Sequence, residues 1–341
     1  LILNLLLCGC TEDQEYYETI DEKKSFFSSN KIIVGKNYSD ANFTNIKDAI
    51  EFASDGDTII VQHGIYQETL FVNKSISLVG EDRNKVILQI EETSEIIGGS
   101  ETNNDRLCIL TVNADNCTIR NLSFKRGIED SRIVNGIVVN SSNNTIKGCI
   151  LTNLYNAMDL LRYSNNNNIL ENIIEYNKIG IESILSKYNC IINNLIYNNS
   201  KYGLYFSTDS NKNTFSKNIF INNDYGVRIK GSRENELFYN YFSNNSYGLY
   251  LCCSARANRI YNNTFVNNFV YNAYEMKGLT NIWTASKSDY GNYWDDYTGF
   301  DENNDGIGDY SYSIPQSLRH DYYPLMEPLN VEYYFEDFIS S

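Results

Sequence analysis

Apolar and polar residues in this chain recur with a period far longer than a helix turn or a strand. The segments NGIVV, NAMDL, IGIES, YGLYF, YGVRI and YGLYL place a small residue at positions 136, 157, 180, 203, 226 and 248, in steps of about 21 to 25 residues. Inside them the side chains alternate: Leu204 and Phe206 flank Tyr205, Val227 and Ile229 flank Arg228, and Leu249 and Leu251 flank Tyr250. Between them run NTFSKNIFINN, NELFYNYFSNN and NRIYNNTFVNN. Aligned, these units give one apolar column of Ile146, Ile169, Ile191, Phe215, Leu237 and Ile260, and another of Leu151, Ile174, Ile196, Phe220, Phe242 and Phe265. Two asparagine columns accompany them. One holds Asn144, Asn167, Asn189, Asn213, Asn235 and Asn258; the other holds Asn172, Asn194, Asn218, Asn240 and Asn263, with Cys149 at its first rung.

Each unit is three short runs separated by Asn-rich corners, too short for a pair of helices. A period near 22 with three strands per turn predicts an all-β chain, a single-stranded right-handed parallel β-helix. Asparagine suits the corners because its amide can bond the next rung and because it tolerates left-handed backbone. About ten or eleven coils fit between residues 31 and 283, a rod roughly 50 Å long at ~4.8 Å per rung. Leucine-rich repeats have a similar period, but their Leu-spaced consensus is absent.

The two ends have different textures. Ile46, Ala49, Ile50 and Ala53, with Thr44 near the start, have helical spacing and predict a short amphipathic helix capping the open end of the cylinder. Residues 91–107 read as a polar loop projecting from an early coil. The organisation expected is therefore 1–10 signal-peptide remnant, 11–30 acidic tether, 31–290 β-helix, 291–328 irregular C-terminal cap and 329–341 tail. The apolar start LILNLLLCGC reads as the end of a signal peptide, and Leu7-Cys8-Gly9-Cys10 resembles a bacterial lipobox in which Cys10 would carry the lipid. The expectation is an extracytoplasmic protein, at the cell surface or in the periplasm, secreted or lipid-anchored.

Composition narrows the partners. The chain has 341 residues, a formal charge of −15 and 42% apolar content. That acidity argues against a nucleic-acid surface, which needs clustered Lys and Arg. About 49 asparagines would suit a disordered tract, but the columns place them in register. The cysteines beyond the leader, Cys108, Cys117, Cys149, Cys190, Cys252 and Cys253, match no zinc spacing and read mainly as buried small apolar residues.

The opening GDTIIVQHGIYQE…ISLVGED, the Asn-laddered coils and the ending GNYWDDYTGFDENNDGIGDYSY…DYYPLM resemble the NosD-type β-helix family over about residues 31–328. These are called periplasmic copper-binding proteins and overlap the carbohydrate-binding and sugar-hydrolysis (CASH) domain group. The resemblance implies the fold and, for a NosD protein proper, help in assembling the copper centre of nitrous oxide reductase.

Three candidate sites follow. Asp301, Asn303, Asp305, Ile307 through its carbonyl, and Asp309 surround Gly306 in the order of a Ca²⁺ loop. Position twelve is Tyr312, so Asp295, Asp296 or Asp321 would have to close the shell. Copper prefers Cys, Met and His, and the chain has 2 His and 3 Met, with His63 and His320 at opposite ends of the expected rod. Cys252-Cys253 is the remaining copper candidate, although a buried pair is the better explanation. The third site is the outward column Val138, Asp159, Glu182, Tyr205, Arg228 and Tyr250. Asp159 and Glu182 would stand one rung apart, near the carboxyl separation of a retaining glycosidase. Arg228-Ile229-Lys230 echoes polygalacturonases, whose further Asp pairs and Gly-His-Gly are missing.

The same face carries Tyr202, Tyr225 and Tyr247 in one ladder with Tyr205 and Tyr250 beside it, suited to an extended sugar chain through ring stacking and hydrogen bonds. Tyrosines that simply cover coil corners would look alike in sequence. The favoured reading is non-catalytic binding of a polysaccharide or cell-envelope glycan. A glycoside hydrolase or lyase and a copper-maturation accessory are the alternatives.

Overall fold

The computed structural model describes residues 30–36, 38–90, 106–127, 132–277, 279–284 and 290–328. The leader with Cys10, the acidic tether, nearly all of the expected polar loop and the tail lie outside the described residues. Within them the chain is a right-handed parallel β-helix of about ten coils. Three parallel sheets of 10, 9 and 10 strands run the length of the rod. One coil shows the plan: Thr145–Lys147 lies in the first sheet, Ile150–Thr152 in the next, and Asn156–Leu160 in the sheet called here the third.

Both apolar columns form in register, for example Ile146 on Ile169 and Leu151 on Ile174. Their side chains are buried and fill the cylinder. Phe220, Phe242, Phe265, Trp294 and Tyr312 stack at 4.9, 4.7, 4.5 and 4.3 Å between successive ring centroids. This inner column runs without a break from the coils into the cap, because Tyr293–Trp294 pairs onto Thr264–Val266 as a last rung. The small-residue column has a steric cause. A Cβ on Gly203 would stand 2.5 Å from the Gly226 carbonyl oxygen, and one on Gly226 would stand 2.6 Å from that of Gly248.

The asparagine columns are hydrogen-bonded ladders. Asn194 offers both its backbone N–H and its Nδ2 to Asn218 Oδ1, each at 3.0 Å, and Asn218 repeats this toward Asn240 at 3.0 Å. The left-handed backbone falls elsewhere. It belongs to the residue just before each ladder asparagine: Asn193, Lys217, Tyr239 and Asn262 in this column, with φ near +55°. The two talents expected of one asparagine are thus divided between neighbours, so Lys and Tyr serve at the bend while only Asn serves in the ladder. A third ladder, not among the columns read from the sequence, joins Asn177, Asn199, Asn223, Asn245 and Asn268.

Every ladder donates toward the C-terminal end, and each finishes on carboxylate. The first ends on Glu275 through Asn281, the second on Asp321 through Asn292. The third ends on Asp295 and Asp296 through Asn272. At the other end, helix α1 (Ile46–Phe52) buries Ile46, Ala49 and Ile50 against the first coils. Asn45 is its N-cap, and the Glu68 carboxylate takes the N–H groups of Ile46 and Lys47. No described helix is long and apolar enough to cross a membrane.

Candidate functional site

The outer face of the third sheet carries the column read from the sequence. Val138, Asp159, Glu182, Tyr205, Arg228 and Tyr250 are consecutive register partners, and Tyr274 extends them by one rung. Beside it Tyr202, Tyr225, Tyr247 and Tyr271 follow one another. Tyr271 and Tyr274 lie beyond the columns read from the sequence, although the alternation in YNAYE is a signal for them.

One half of this face is aromatic around Arg228. The Arg228 guanidinium carbon lies 5.6, 5.7, 5.6 and 5.5 Å from the ring centroids of Tyr202, Tyr205, Tyr225 and Tyr250. Its Nη1 donates to the Tyr202 hydroxyl at 2.6 Å, and its Nη2 faces Cys252 Sγ at 3.9 Å. Such cation–π contacts hold both the guanidinium and the rings in place. Tyr202 itself is buried beneath Tyr205, so it supports Arg228 instead of presenting a surface to a ligand as the sequence suggested. The Cys252-Cys253 pair is likewise not jointly buried: Cys252 lies under Arg228, while Cys253 is exposed.

The ring geometry changes what these tyrosines can offer. Tyr225 and Tyr247 are parallel within 5° at 4.7 Å, and Tyr250 and Tyr274 within 3° at 4.5 Å. Their faces are turned to each other along the rod, so solvent meets ring edges and hydroxyls. Burial, followed by the neighbouring Tyr274, pushes the Tyr250 hydroxyl up to about 12. Burial first, and then Asp224, raises Tyr225. These two phenols therefore stay neutral, able both to donate and to accept.

The other half is acidic and amide-lined. Asn156 Nδ2 donates to Asp159 Oδ1 at 2.5 Å and to Glu182 Oε2 at 2.7 Å, so those oxygens lie within about 5 Å of each other. Asn135 Nδ2 holds the other Asp159 oxygen at 2.7 Å. Asp159 is buried and Glu182 half-buried. Asn135 and Asn156 were not singled out from the sequence, where VNGIVV and YNAMDL showed them only as residues next to the small position. The structure brings Asp159 and Glu182 together and leaves Arg228 two rungs beyond Glu182, among the tyrosines.

In the C-terminal cap, Asp301 accepts from the N–H groups of Asp305 and Gly306 at 3.1 and 2.8 Å, Asn303 from Asp305 at 2.8 Å, and Asp305 from Ile307 at 3.0 Å. Asp309 accepts from the Glu302 N–H at 2.8 Å. The loop therefore wraps its own oxygen donors as a tight turn. Asp295, Asp296 and Asp321, the residues expected to complete a calcium shell, are committed to the ladder ends instead. Among the described residues no group of three or more His, Cys, Asp or Glu is placed to hold a metal.

Residues 107–265 match the family model described as "Right handed beta helix region". No curated protein sequence matches the chain. Among solved structures, the A-module of mannuronan C-5 epimerase AlgE6 from Azotobacter vinelandii aligns at 15% identity with a TM-score of 0.54, over 67% of this chain and 73% of that one. ORF18 of Geobacillus virus E2 aligns at 12% identity with a TM-score of 0.56, over 90% and 72%. XylC in complex with xylose aligns at 12% identity with a TM-score of 0.50, over 70% and 69%. At these identities the likeness is one of fold.

Proposed function

We propose that this chain is an extracytoplasmic glycan-binding protein that holds an extended polysaccharide along the outer face of its third sheet without cleaving it. The observation that carries this reading is the pair of tyrosine columns fixed around Arg228, with ring centroids 4.7 Å apart at Tyr225 and Tyr247 and 4.5 Å apart at Tyr250 and Tyr274. Hydroxyls repeated at that interval suit the hydroxyls of a polymer laid along the rod, through hydrogen bonds to ring edges and phenols instead of face-on stacking. The fold shared with the mannuronan epimerase module and with XylC bound to xylose is in keeping with a sugar ligand. Lipid attachment through Cys10 and the NosD-type kinship belong to the same proposal.

The test is retention of the purified chain on a panel of immobilised polysaccharides. Tyr250→Phe removes one hydroxyl and keeps the ring, and Arg228→Ala releases the cage. Each is expected to weaken retention at least threefold. Unchanged retention in both would sink the assignment to this face.

A hydrolase reading rests on one observation, the Asp159 and Glu182 oxygens within about 5 Å, the range of a retaining glycosidase. New reducing ends, abolished by Glu182→Gln, would establish it and overturn the non-catalytic reading.

A further inference from the structure

At the corner leading into the third sheet, a surface groove of about 600 Å³ runs along the rod. It exists because of the division of labour between neighbouring asparagines. Asn199, Asn223 and Asn245 turn inward as the third ladder. The residues before them, Asn198, Asn222 and Asn244, are left-handed with φ of 55° and line the groove. Each rung thereby contributes one amide to the interior and one to the outside.

Two exposed rings stand at its ends. Tyr176 is one rung before Asn198 and Phe269 one rung after Ser246; they are 55% and 75% exposed. Neither belongs to the stacked columns of the third sheet, and Tyr176 meets the Tyr197 ring in an edge contact at 5.9 Å. They are four rungs apart, about 19 Å. Among the lining residues Asp224 alone has an acidic or basic side chain.

We propose that this groove binds a linear, neutral polysaccharide, with about four sugar rings laid along the amides and its flanks against Tyr176 and Phe269. A planar amide presents an acceptor and a donor side by side, which matches adjacent hydroxyls on a pyranose ring. Exposed aromatic rings cover the apolar C–H faces of sugars. Uronate polymers are disfavoured, because the lining supplies a carboxylate and no cation, in a chain of formal charge −15. The proposal rests on the glycan-binding reading but places a ligand outside the tyrosine columns.

The experiment is calorimetric titration of the full chain with cellohexaose, mannohexaose, xylohexaose and hexagalacturonate. Binding of at least one neutral hexasaccharide and not of hexagalacturonate is expected. Tyr176→Ala and Phe269→Ala should each weaken it at least tenfold with an unchanged melting temperature, while Tyr163→Ala, at an exposed tyrosine on another corner, should not alter it. Affinity that survives both groove variants but falls in Tyr250→Phe overturns the groove and leaves the third-sheet reading standing. Preference for hexagalacturonate also overturns it. Failure of every glycan to bind, polymers included, sinks both readings together.

Discussion

Glu275 ends the first asparagine ladder by accepting the Asn281 side-chain amide at 2.9 Å. The same oxygen takes the Asn281 N–H at 3.3 Å, and its twin takes the Trp283 indole and the Ser317 hydroxyl, both at 2.8 Å. Four donors on two oxygens, all at a fully buried side chain, require a carboxylate. Glu275→Gln keeps the shape and removes one oxygen. It is expected to lower stability by about 2 kcal/mol, measured by urea unfolding; a loss below about 0.5 kcal/mol would show that the ladder needs no carboxylate there.

Within a ladder the cost is set by the donors left behind. Asn218→Leu keeps the volume, but strands the buried Asn194 N–H, while Asn194 Nδ2 keeps the Ile169 and Ile192 carbonyls and Asn240 Oδ1 keeps the backbone N–H of residue 218. A loss of about 3 kcal/mol is expected. Lys217→Ala, one residue earlier at the half-buried bend, should cost less than about 1 kcal/mol. Equal losses would contradict the separation of bend and ladder.

Asp321 makes stability depend on pH in an unusual direction. Burial raises its carboxyl from 3.8 to about 6, against the opposing hydrogen bonds from Asn292 and Trp294. A carboxyl raised in the folded state binds its proton more tightly than the unfolded chain does. Its contribution is present below pH 4 and is lost as pH rises through 6, by something of the order of 3 kcal/mol. The melting temperature of the native chain, relative to Asp321→Asn, should therefore fall between pH 4 and pH 6. A flat difference across that window would refute the assignment.

Calcium at the Asp301–Asp309 turn is proposed as a weak structural ion, because the carboxylates that would complete its shell are occupied. A rise in melting temperature at millimolar but not micromolar Ca²⁺ is expected, as at the weakest extracellular sites. It should vanish in Asp305→Ala. No shift at any concentration removes calcium from the account.

Much of the architecture was legible because β-helix contacts are vertical. A column of like residues in the sequence is a stack in space, so Ile146 on Ile169 and Asp159 on Glu182 could be read by counting. The third ladder was harder to read because four of its five members, Asn199, Asn223, Asn245 and Asn268, sit beside another asparagine, and pairs such as NN do not say which one turns inward. The burial of Tyr202 and the mutual covering of Tyr225 and Tyr247 depend on ring rotation, which spacing alone does not encode. Nor could spacing show that Asp321 was needed by Trp294 and Asn292 instead of by a metal.

The carboxylates at the ladder ends also bear on whether rods can join. An open parallel coil presents unpaired N–H and C=O groups, a template on which a second copy can continue the sheets into a fibre. Here an incoming ladder would lead with an asparagine oxygen and meet Glu275, Asp321 or Asp295, acceptor against acceptor. At the opposite end helix α1 already covers the first coils. The residues that finish each ladder thus also keep one molecule from becoming the next rung of another.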